Sequence, residues 1–453
     1  MAQQTTGQVV SPSLAPAAEE AAARASLKVL ARVFGDCDQR DFAVRLWNGQ
    51  VWSPAPELAP RFTIVLRHPG ALRRMFLPPT ELNLGEAFVR GDFDVEGDLV
   101  ACTGLADAVQ AVFTSPTRWL PLGRLLTSLP DLRLEAQPWR GAAQLRGAEH
   151  SPGRDQQAVV YHYDLPGEFY ALFLDQRMQY SCGYFPTGEE TLDAAQEAKL
   201  DHICRKLRLQ PGERLLDIGC GWGGLVGFAA ERYGVEALGI TLSPSQLGWA
   251  RQRLAAAGLA GRCRIELQDY RALGRQQFDK IVSVGMFEHV GRRNLPEYFR
   301  QAYKLLKPGG LFLNHGIAGM YLPPAGLLGS LGHRVFERGR GFIGNYVFPD
   351  GELEPVSEVN LVAERAGFEV RDVESLREHY AQTLRHWHRA LGEKREAALQ
   401  LVDEPTYRVW RLYTAGCAHA FDVARLNVYQ SLLLKPGAQG RSGLPWSRKY
   451  MYE

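Results

Sequence analysis

Long apolar runs, cysteine pairs and an excess of either charge are all missing from this sequence of 453 residues. No uninterrupted apolar run approaches the roughly 18–20 residues that span a bilayer, which argues against a membrane-embedded chain. The seven cysteines form no CxxC pair, so neither a disulfide framework nor a metal site is expected. The 52 Lys and Arg residues nearly balance the 50 Asp and Glu residues. A nucleic-acid-binding protein usually carries a clearer basic excess, so no nucleic-acid partner is predicted.

The remaining composition is that of a globular protein, with 45% hydrophobic and 23% charged residues. The first basic residue is Arg24 and no apolar segment follows a charged start, so no secretory signal is predicted and the expected location is cytoplasmic. The length predicts two or three domains. We expect a disordered tail at residues 1–25, a smaller α+β domain at 26–132, a linker at 133–158 and a large domain at 159–453.

In the first domain, residues 42–47 and 61–67 alternate apolar and polar side chains as half-buried strands do, and residues 83–98 suggest a turn followed by a short helix or strand. The stretch that follows is basic and has two interpretations. It is either a solvated connector or a surface that meets anionic phospholipid headgroups. Its basic residues are Arg118, Arg124, Arg133, Arg140, Arg146 and Arg154.

Strand and helix patterns alternate in the large domain up to about residue 318, which predicts an α/β fold with a doubly wound, mostly parallel sheet and helices on both faces. The predicted strands are residues 214–218, 236–241, 263–267, 280–284 and 311–314, and the predicted helices are 225–233 and 243–257. Residues 321–453 are expected to be mostly helical additions.

A glycine-rich turn, RLLDIGCGWGG at residues 214–224, follows the first of these strands. Asp217 stands just before Gly219 and Gly221, and the glycines recur at every second position rather than as the GxGxxG of dinucleotide enzymes. The turn resembles motif I of the class I methyltransferases that use S-adenosylmethionine. A purely structural turn or a nucleotide loop are the alternatives.

The next two strand ends carry further candidates. Most class I methyltransferases place an acidic residue after the second strand, whereas this chain has Thr241 and Leu242. Asp269 and Tyr270 follow the third strand, where a carboxylate can accept from the adenine amine and a ring can stack on the base. Tyr270 and Trp222 could instead be core aromatic residues.

Five longer segments narrow the resemblance. They are YHYDLPGEFYALFLDQRMQYSCGYF at residues 161–185, GITLSPSQL at 239–247, GMFEHVG at 285–291, NHGI at 314–317 and GFIGNYVFPDG at 341–351. In order and spacing they look like the cyclopropane-fatty-acyl-phospholipid synthases, from about residue 30 to about residue 440, and they include LGEAFVRGDFDVEGD at 84–98. The Thr-Leu-Ser ending of the second strand is normal in that family.

This resemblance implies a Rossmann-like class I methyltransferase domain, an N-terminal accessory domain that binds lipid, and helices that form a lipid pocket. It implies S-adenosylmethionine as cosubstrate and a bicarbonate ion as the base. The cofactor-binding positions that it implies are His162, Tyr180, Ser181, Asp217, Gly219, Gly221, Thr241, Leu242, Gln246, Asp269 and Tyr270. The catalytic positions that it implies are Cys182, Glu288, His315, Ile317 and Tyr346.

The implied reaction adds a methylene group to the cis double bond of an unsaturated phospholipid acyl chain, giving a cyclopropane ring. The partner is then a membrane surface, contacted peripherally at the inner face of the cell membrane, and a homodimer is possible. Taken singly, Cys182 can be a packing residue, His315 a core histidine and Glu288 a helix cap. Two alternatives to cyclopropanation stay open, a methylene- or methyl-branched product from the same alkene and a catalytically dead lipid-binding protein.

Overall fold

The computed structural model describes residues 14–113, 115–134, 139–319 and 341–453. Its contacts divide the chain into two compact units. The described part of unit 1 comprises residues 14–113, 115–134, 139–141, 341–347 and 403–419, and that of unit 2 comprises residues 142–319, 348–402 and 420–453. Within these described residues, no helix combines the length and the hydropathy that crossing a membrane requires.

Unit 1 is built on a four-stranded sheet with the order β2-β1-β3-β4, in which only β1 and β3 are parallel. The strands are β1 Phe42–Arg45, β2 Val51–Trp52, β3 Phe62–Leu66 and β4 Phe93–Gly97. The strands predicted at 42–47 and 61–67 are confirmed, and residues 83–98 hold most of a helix and then β4. The helices are Pro16–Phe34, Ala71–Phe76, Glu81–Val89, Leu99–Thr103, Leu105–Phe113, Pro116–Ser128 and Gly341–Tyr346.

Unit 2 contains a seven-stranded sheet with the order β10-β11-β9-β8-β5-β6-β7. The strands are β5 Arg214–Ile218, β6 Glu236–Thr241, β7 Cys263–Leu267, β8 Phe278–Val284, β9 Leu306–Gly319, β10 Glu369–Ser375 and β11 Leu426–Leu434. The five strands from β5 to β9 pair in parallel, and β11 joins β9 and β10 antiparallel. The predicted doubly wound, mostly parallel α/β sheet is confirmed.

Both faces of this sheet are covered, because neighbouring residues of each central strand enter different apolar clusters. On β5, Leu215 belongs to one cluster, and Leu216 and Ile218 belong to the other. Burial on both faces explains why the central strands are almost continuous apolar runs in the sequence. The helices of unit 2 are Pro152–Tyr163, Gly167–Ala171, Leu192–Lys206, Gly224–Tyr233, Pro244–Ala256, Leu295–Leu305, Val356–Arg365, Arg377–Glu393 and Arg395–Leu401. Helix Glu404–Asp422 has residues in both units.

Three expectations about the chain's organisation need correction. The helix Pro16–Phe34 begins inside the predicted tail, because an alanine- and glutamate-rich run with proline in its first turn is a strong helix former. The helix Pro152–Tyr163 likewise begins inside the predicted linker. The described C-terminal part is mostly helical, as predicted, and it also adds β10 and β11 to the sheet. In addition, residues 341–347 and 403–419 group with unit 1 rather than with the rest of the predicted large domain.

Candidate active site

A cleft opens in unit 2 where β5, β6, β7 and β8 end, the edge at which open α/β sheets bind ligands. Its empty volume is about 1040 Å³, including the part open to solvent. Ten of the eleven predicted cofactor residues line it, namely Tyr180, Ser181, Asp217, Gly219, Gly221, Thr241, Leu242, Gln246, Asp269 and Tyr270. We call this space the cofactor cleft.

The glycine turn after β5 forms the floor of the cofactor cleft. Gly219 has φ +83°, and a Cβ there would stand 2.7 Å from Met286. Gly221 has φ +55°, and a Cβ there would meet nothing within 4 Å, so it would project into open space that a ligand can use. Asp217 is 2% exposed, and no hydrogen-bond donor reaches its carboxylate from the described residues. An open cradle beside an unsatisfied carboxylate fits a ligand with a hydrogen-bonding cation, such as the amino-acid end of S-adenosylmethionine.

On the predicted ribose side, the end of β6 organises its own hydrogen bonds. The Thr241 hydroxyl donates to Gln246 Oε1 at 2.8 Å and accepts from Ser243 N–H at 3.1 Å. Ser243 in turn caps the helix Pro244–Ala256 by accepting from the backbone of Gln246. The side-chain carbonyl oxygen of Gln246 is therefore bound to Thr241, and the side-chain NH₂ group is left to donate to hydroxyls in the cleft. Leu242 lines the cleft beside it.

On the predicted adenine side, Asp269 and Tyr270 are bound to Arg271, a residue that the sequence did not single out. Arg271 donates to both carboxylate oxygens of Asp269, at 2.9 and 2.6 Å, and to Asp155 at 3.1 Å. Its guanidinium also lies 5.4 Å from the centre of the Tyr270 ring. Asp155, on the helix Pro152–Tyr163, lines the same cleft. Arg271 thus ties that helix to the loop after β7.

Aromatic rings surround Tyr180. Its ring stacks on Trp387 with centroids 5.1 Å apart and on His162 at 5.5 Å. His162 is fully buried and also stacks on Phe348 at 4.2 Å. Among the eleven predicted cofactor residues that the structure describes, His162 is the one that does not line the cleft. Its direct contact with a cofactor stays a prediction, and its position supports the ring of Tyr180.

Three of the predicted catalytic residues lie near the ends of two neighbouring strands: Glu288 follows β8, and His315 and Ile317 are on β9. The backbone N–H of Ile317 donates to Glu288 Oε1 at 2.7 Å, and Glu288 Oε2 is buried with no partner among the described residues. Burial raises the pKa of Glu288 to about 7, against the smaller effect of the bond from Ile317. Burial and then Glu288 also raise the pKa of Tyr163, which lines the cofactor cleft, so the carboxyl group lies close to that cleft.

His315 is neutral at physiological pH. Burial, helped by the positive charges of Lys199 and Lys206, lowers its pKa to about 3. Its Nδ1 pairs with Gln430 Nε2 at 3.2 Å, and with that amide as donor the ring carries its proton on Nε2. Nε2 is buried and has no partner in the part of the chain that the structure describes. Glu288 and His315 therefore present one unsatisfied group each.

The other two predicted catalytic residues are placed differently. Cys182 is fully buried, its thiol contacts the carbonyl oxygens of Gly183 and Leu376, and burial raises its pKa well above the usual range. It is therefore not a thiolate nucleophile. Tyr346 belongs to unit 1, where its hydroxyl donates to Glu86 at 2.7 Å. Its part in an anion site stays a prediction.

Several residues at the site were missed by the sequence analysis. They are Asp155, Tyr163, Gln179, Lys199, Arg271 and His289. Tyr163, Gln179 and His289 lie inside the segments quoted for the family resemblance, and Arg271 follows Tyr270 directly, so these four offered a signal. His289 lines the cleft, and burial, with a further effect of His150, lowers its pKa to about 4. Lys199 gave no signal because nothing in the sequence of a helix shows which lysine the fold will bury.

Comparisons with known proteins agree with this geometry. Residues 150–431 match the family model described as mycolic acid cyclopropane synthetase. The chain is 42% identical over 412 residues to a probable fatty acid methyltransferase of Pseudomonas putida, covering 90% of this chain and 95% of that protein. It is 38% identical over 272 residues to cyclopropane mycolic acid synthase 1 of Mycobacterium tuberculosis, covering 60% of this chain and 94% of that protein.

The fold comparison leads to the same group. The crystal structure of mycolic acid cyclopropane synthase CmaA1 complexed with SAH and CTAB matches with a TM-score of 0.57 and 35% identity, covering 62% of this chain and 98% of that chain. One conclusion follows from three findings: the cofactor cleft at the sheet edge, the match of the family model over more than half of the sequence, and the similarity to these relatives. The chain belongs to the mycolic acid cyclopropane synthetase family of S-adenosylmethionine-dependent methyltransferases.

Proposed function

We propose that this enzyme adds a methylene group to the cis double bond of unsaturated acyl chains in membrane phospholipids, forming a cyclopropane ring, with a bound bicarbonate ion as the base. One observation carries the proposal. After β8 and on the neighbouring strand β9, Glu288 and His315 are buried, and each keeps one hydrogen-bonding atom without a partner among the described residues. Buried polar atoms without partners point to a small polar ligand.

The chemistry asks for a dry and precisely shaped pocket. S-adenosylmethionine supplies an electrophilic methyl group when bound. An alkene is a weak nucleophile, so positioning and preorganised electrostatics must supply much of the rate. Positive charge that develops on the acyl chain needs shelter from water, and the faces of Tyr163, Tyr180 and Trp387 can stabilise it. Ring closure releases one proton, which a base must accept.

The proton acceptor follows from the two unsatisfied groups. His315 offers an Nε2–H donor to an anion. Glu288 would repel bicarbonate when ionised, but with a pKa of about 7 it can also be protonated and donate, or it can accept the hydrogen bond of bicarbonate's own hydroxyl. Glu288 itself is the alternative base. The backbone N–H of Ile317 is already bound to Glu288, so in this arrangement it positions the carboxyl group rather than the anion.

A lipid analysis tests the reaction. Expression in a host without cyclopropane lipids should add one CH₂ to its unsaturated phospholipid acyl chains, and the product should resist mild hydrogenation and ozonolysis as a ring does. Glu288→Gln should lower the yield strongly while the variant still binds S-adenosylmethionine. Unchanged lipids from a folded, cofactor-binding wild-type protein would contradict the proposal.

The base is tested separately with purified enzyme and unsaturated phospholipid vesicles. If bicarbonate is the base, enzyme stripped of carbonate should be slow and added bicarbonate should restore turnover. If Glu288 takes the proton itself, removing carbonate should change nothing, while Glu288→Gln should cost about 10²–10⁴-fold in rate. Full activity in carbonate-free buffer would exclude bicarbonate.

With such a substrate, we expect the enzyme to act peripherally at the inner face of the cell membrane. In unit 1, the helix Pro116–Ser128 buries Leu122 and Leu126 and exposes Arg118, Arg124 and Leu120, the last at 69%. Cationic side chains around an exposed leucine suit an anionic lipid surface, to which each Lys or Arg contributes about 1 kcal/mol.

Not all of the basic stretch is available for lipid. Arg154 pairs with Asp350 through both carboxylate oxygens, and the two side chains are 12% and 4% exposed. Arg118→Glu combined with Arg124→Glu should weaken binding to anionic vesicles, as added salt should. Arg264→Glu, an exposed change in unit 2, is the matched control. Equal binding by both variants would place the docking surface elsewhere.

A methyl-branched product is the second candidate, because the Pseudomonas relative is described as a probable fatty acid methyltransferase. The same alkene and cofactor would serve, with a hydride shift before proton loss and a later reduction. The lipid analysis separates the two products, since a reduced methyl branch carries two hydrogens more than a ring.

A further inference from the structure

A buried lysine lies beneath the cofactor cleft and is not used by the chemistry described above. Lys199, on the helix Leu192–Lys206, has no exposed surface. Its ammonium donates to Gln179 Oε1 at 2.7 Å and to Ser181 Oγ at 3.0 Å. No carboxylate in the described residues lies within 4.0 Å of it. A buried cation without an ion-pair partner is expensive, which suggests that its counter-charge arrives with a ligand.

Both acceptors of Lys199 belong to the wall of the cleft. Gln179 and Ser181 line it, and hydrogen bonds hold their backbone. Asp175 accepts the backbone N–H of Gln179 at 2.6 Å, and Gln196, also on the lysine's helix, donates to the carbonyl of Ser181 at 2.8 Å. Lys199 therefore orients two side chains, those of Gln179 and Ser181, at the surface of the cleft.

The hydroxyl of Ser181 has a defined direction for this reason. A serine hydroxyl has one proton to donate, and Lys199 occupies one of its acceptor positions. No acceptor for the Ser181 proton is present in the described part of the chain. The hydroxyl is thus oriented and polarised as a donor, which is what a carboxylate in the cleft would need.

An opposite charge lies in the same cleft. Burial raises the pKa of Asp217 to about 7, while the charge of Lys199 opposes that increase. Burial lowers the pKa of Lys199 to about 8, while Asp175, Cys182 and Asp217 oppose that decrease, so the lysine is cationic at neutral pH. A carboxylate without a donor and a buried cation without a counter-ion match a ligand that carries both charges, as an α-amino acid does.

We propose that Lys199 is a positioning residue for the amino-acid end of S-adenosylmethionine. Its ammonium orients Ser181 and Gln179 and supplies the positive potential that holds the ligand's carboxylate, while Asp217 accepts from the ligand's α-ammonium. Only cofactor binding, and not the identity of the lipid, is needed for this role.

The test compares ligands that differ at the amino-acid end. Calorimetry would measure binding of S-adenosylmethionine, of its decarboxylated form and of methylthioadenosine, which lacks the amino-acid end entirely. Lys199→Met should weaken the binding of S-adenosylmethionine by about 10–100-fold, which is the usual contribution of a hydrogen bond to a charged group. The affinity for the two ligands without a carboxylate should fall by less than about threefold, because they carry no negative charge for the lysine's positive potential to attract.

Lys206→Met is the matched control, since Lys206 is equally buried on the same helix but is paired with Glu374. It should lower stability without distinguishing the three ligands. If Lys199→Met does not fold, Ser181→Ala tests the same relay with the lysine intact and should discriminate in the same sense. Equal weakening of all three ligands, in either variant, would reduce Lys199 to structural support and overturn the proposal.

Discussion

Replacing Glu288 by Gln should stabilise the protein at alkaline pH. Burial raises the pKa of Glu288 from 4.5 to about 7, so the folded state holds this proton more tightly than the unfolded state does. The stability that the neutral carboxyl group contributes is complete below about pH 4.5 and is lost as the pH rises through 7. The difference between the pKa values of Glu288 in the folded and unfolded states corresponds to about 3 kcal/mol of unfolding free energy. Glutamine keeps the acceptor for Ile317 N–H and cannot ionise.

The assay is the free energy of unfolding of wild type and Glu288→Gln, in carbonate-free buffers from about pH 4.5 to about pH 8.5. The two proteins should be similar at the acid end. The difference should grow to about 3 kcal/mol in favour of the variant by about pH 8 and then stay constant. Parallel stability curves would show that Glu288 is not a buried carboxyl group short of hydrogen bonds, and the proposed anion site would lose its basis.

Glu374 provides a control of opposite sign. Burial alone would raise its pKa, but the bond from His202 and the ammonium of Lys206 bring it down to about 2. The stability from this carboxylate is present above pH 4.5 and is lost as the pH falls through 2. Glu374→Gln should therefore destabilise the protein at neutral pH, whereas Glu288→Gln should not.

Two further predictions concern glycines at the site. Gly221→Val places a β-branched residue at φ +55° and a side chain in the open cradle, so a folded variant should lose S-adenosylmethionine binding in calorimetry, and unchanged affinity would contradict the cofactor assignment. At Gly316, a Cβ would stand 1.8 Å from the ring of Phe287, so Gly316→Ala should lower stability by about 1–3 kcal/mol and reduce turnover by displacing the turn that carries Glu288. Gly248→Ala, in a helix with nothing within 4 Å, should instead be neutral or stabilising by up to about 1 kcal/mol in thermal unfolding, and similar melting temperatures for the two alanine variants would refute the packing argument.

The central sheet was predictable because strands that are buried on both faces carry apolar residues at consecutive positions. The strands β5, β6 and β8 are largely apolar and end at polar or glycine residues, so the strands and the edge that binds the ligand could be inferred together. The strand β10 was not predictable in this way. It lies at the sheet edge and carries Asp372 and Glu374, whose charges are satisfied by Lys206 and Arg448 from distant parts of the sequence.

The same distinction divides the site. The glycine turn and the residues Thr241 and Leu242 are local features, and the sequence alone placed them at strand ends. Contacts such as Arg271 to Asp155, 116 residues apart, depend on the folded arrangement of a helix over the cleft. Lys199 is the clearest case, because an ordinary lysine pattern on a helix gives no indication that the ammonium will be buried under Ser181.

The two halves of the proposed site differ in charge in a way that suits their tasks. The cofactor end holds an acid and a base, Asp217 and Lys199, whose pKa values burial brings to about 7 and about 8, so a zwitterionic ligand end can stabilise the ionised form of both. At Glu288, His289 and His315, burial moves the pKa values toward the neutral forms, since those of His315 and His289 fall to about 3 and 4 and that of Glu288 rises to about 7. A nearly neutral pocket accepts an acyl chain without the free-energy cost of desolvating fixed charges. Negative charge for the proton transfer then has to come from an ion that binds there or from Glu288 as it ionises, which is why the carbonate-free assay distinguishes the two bases.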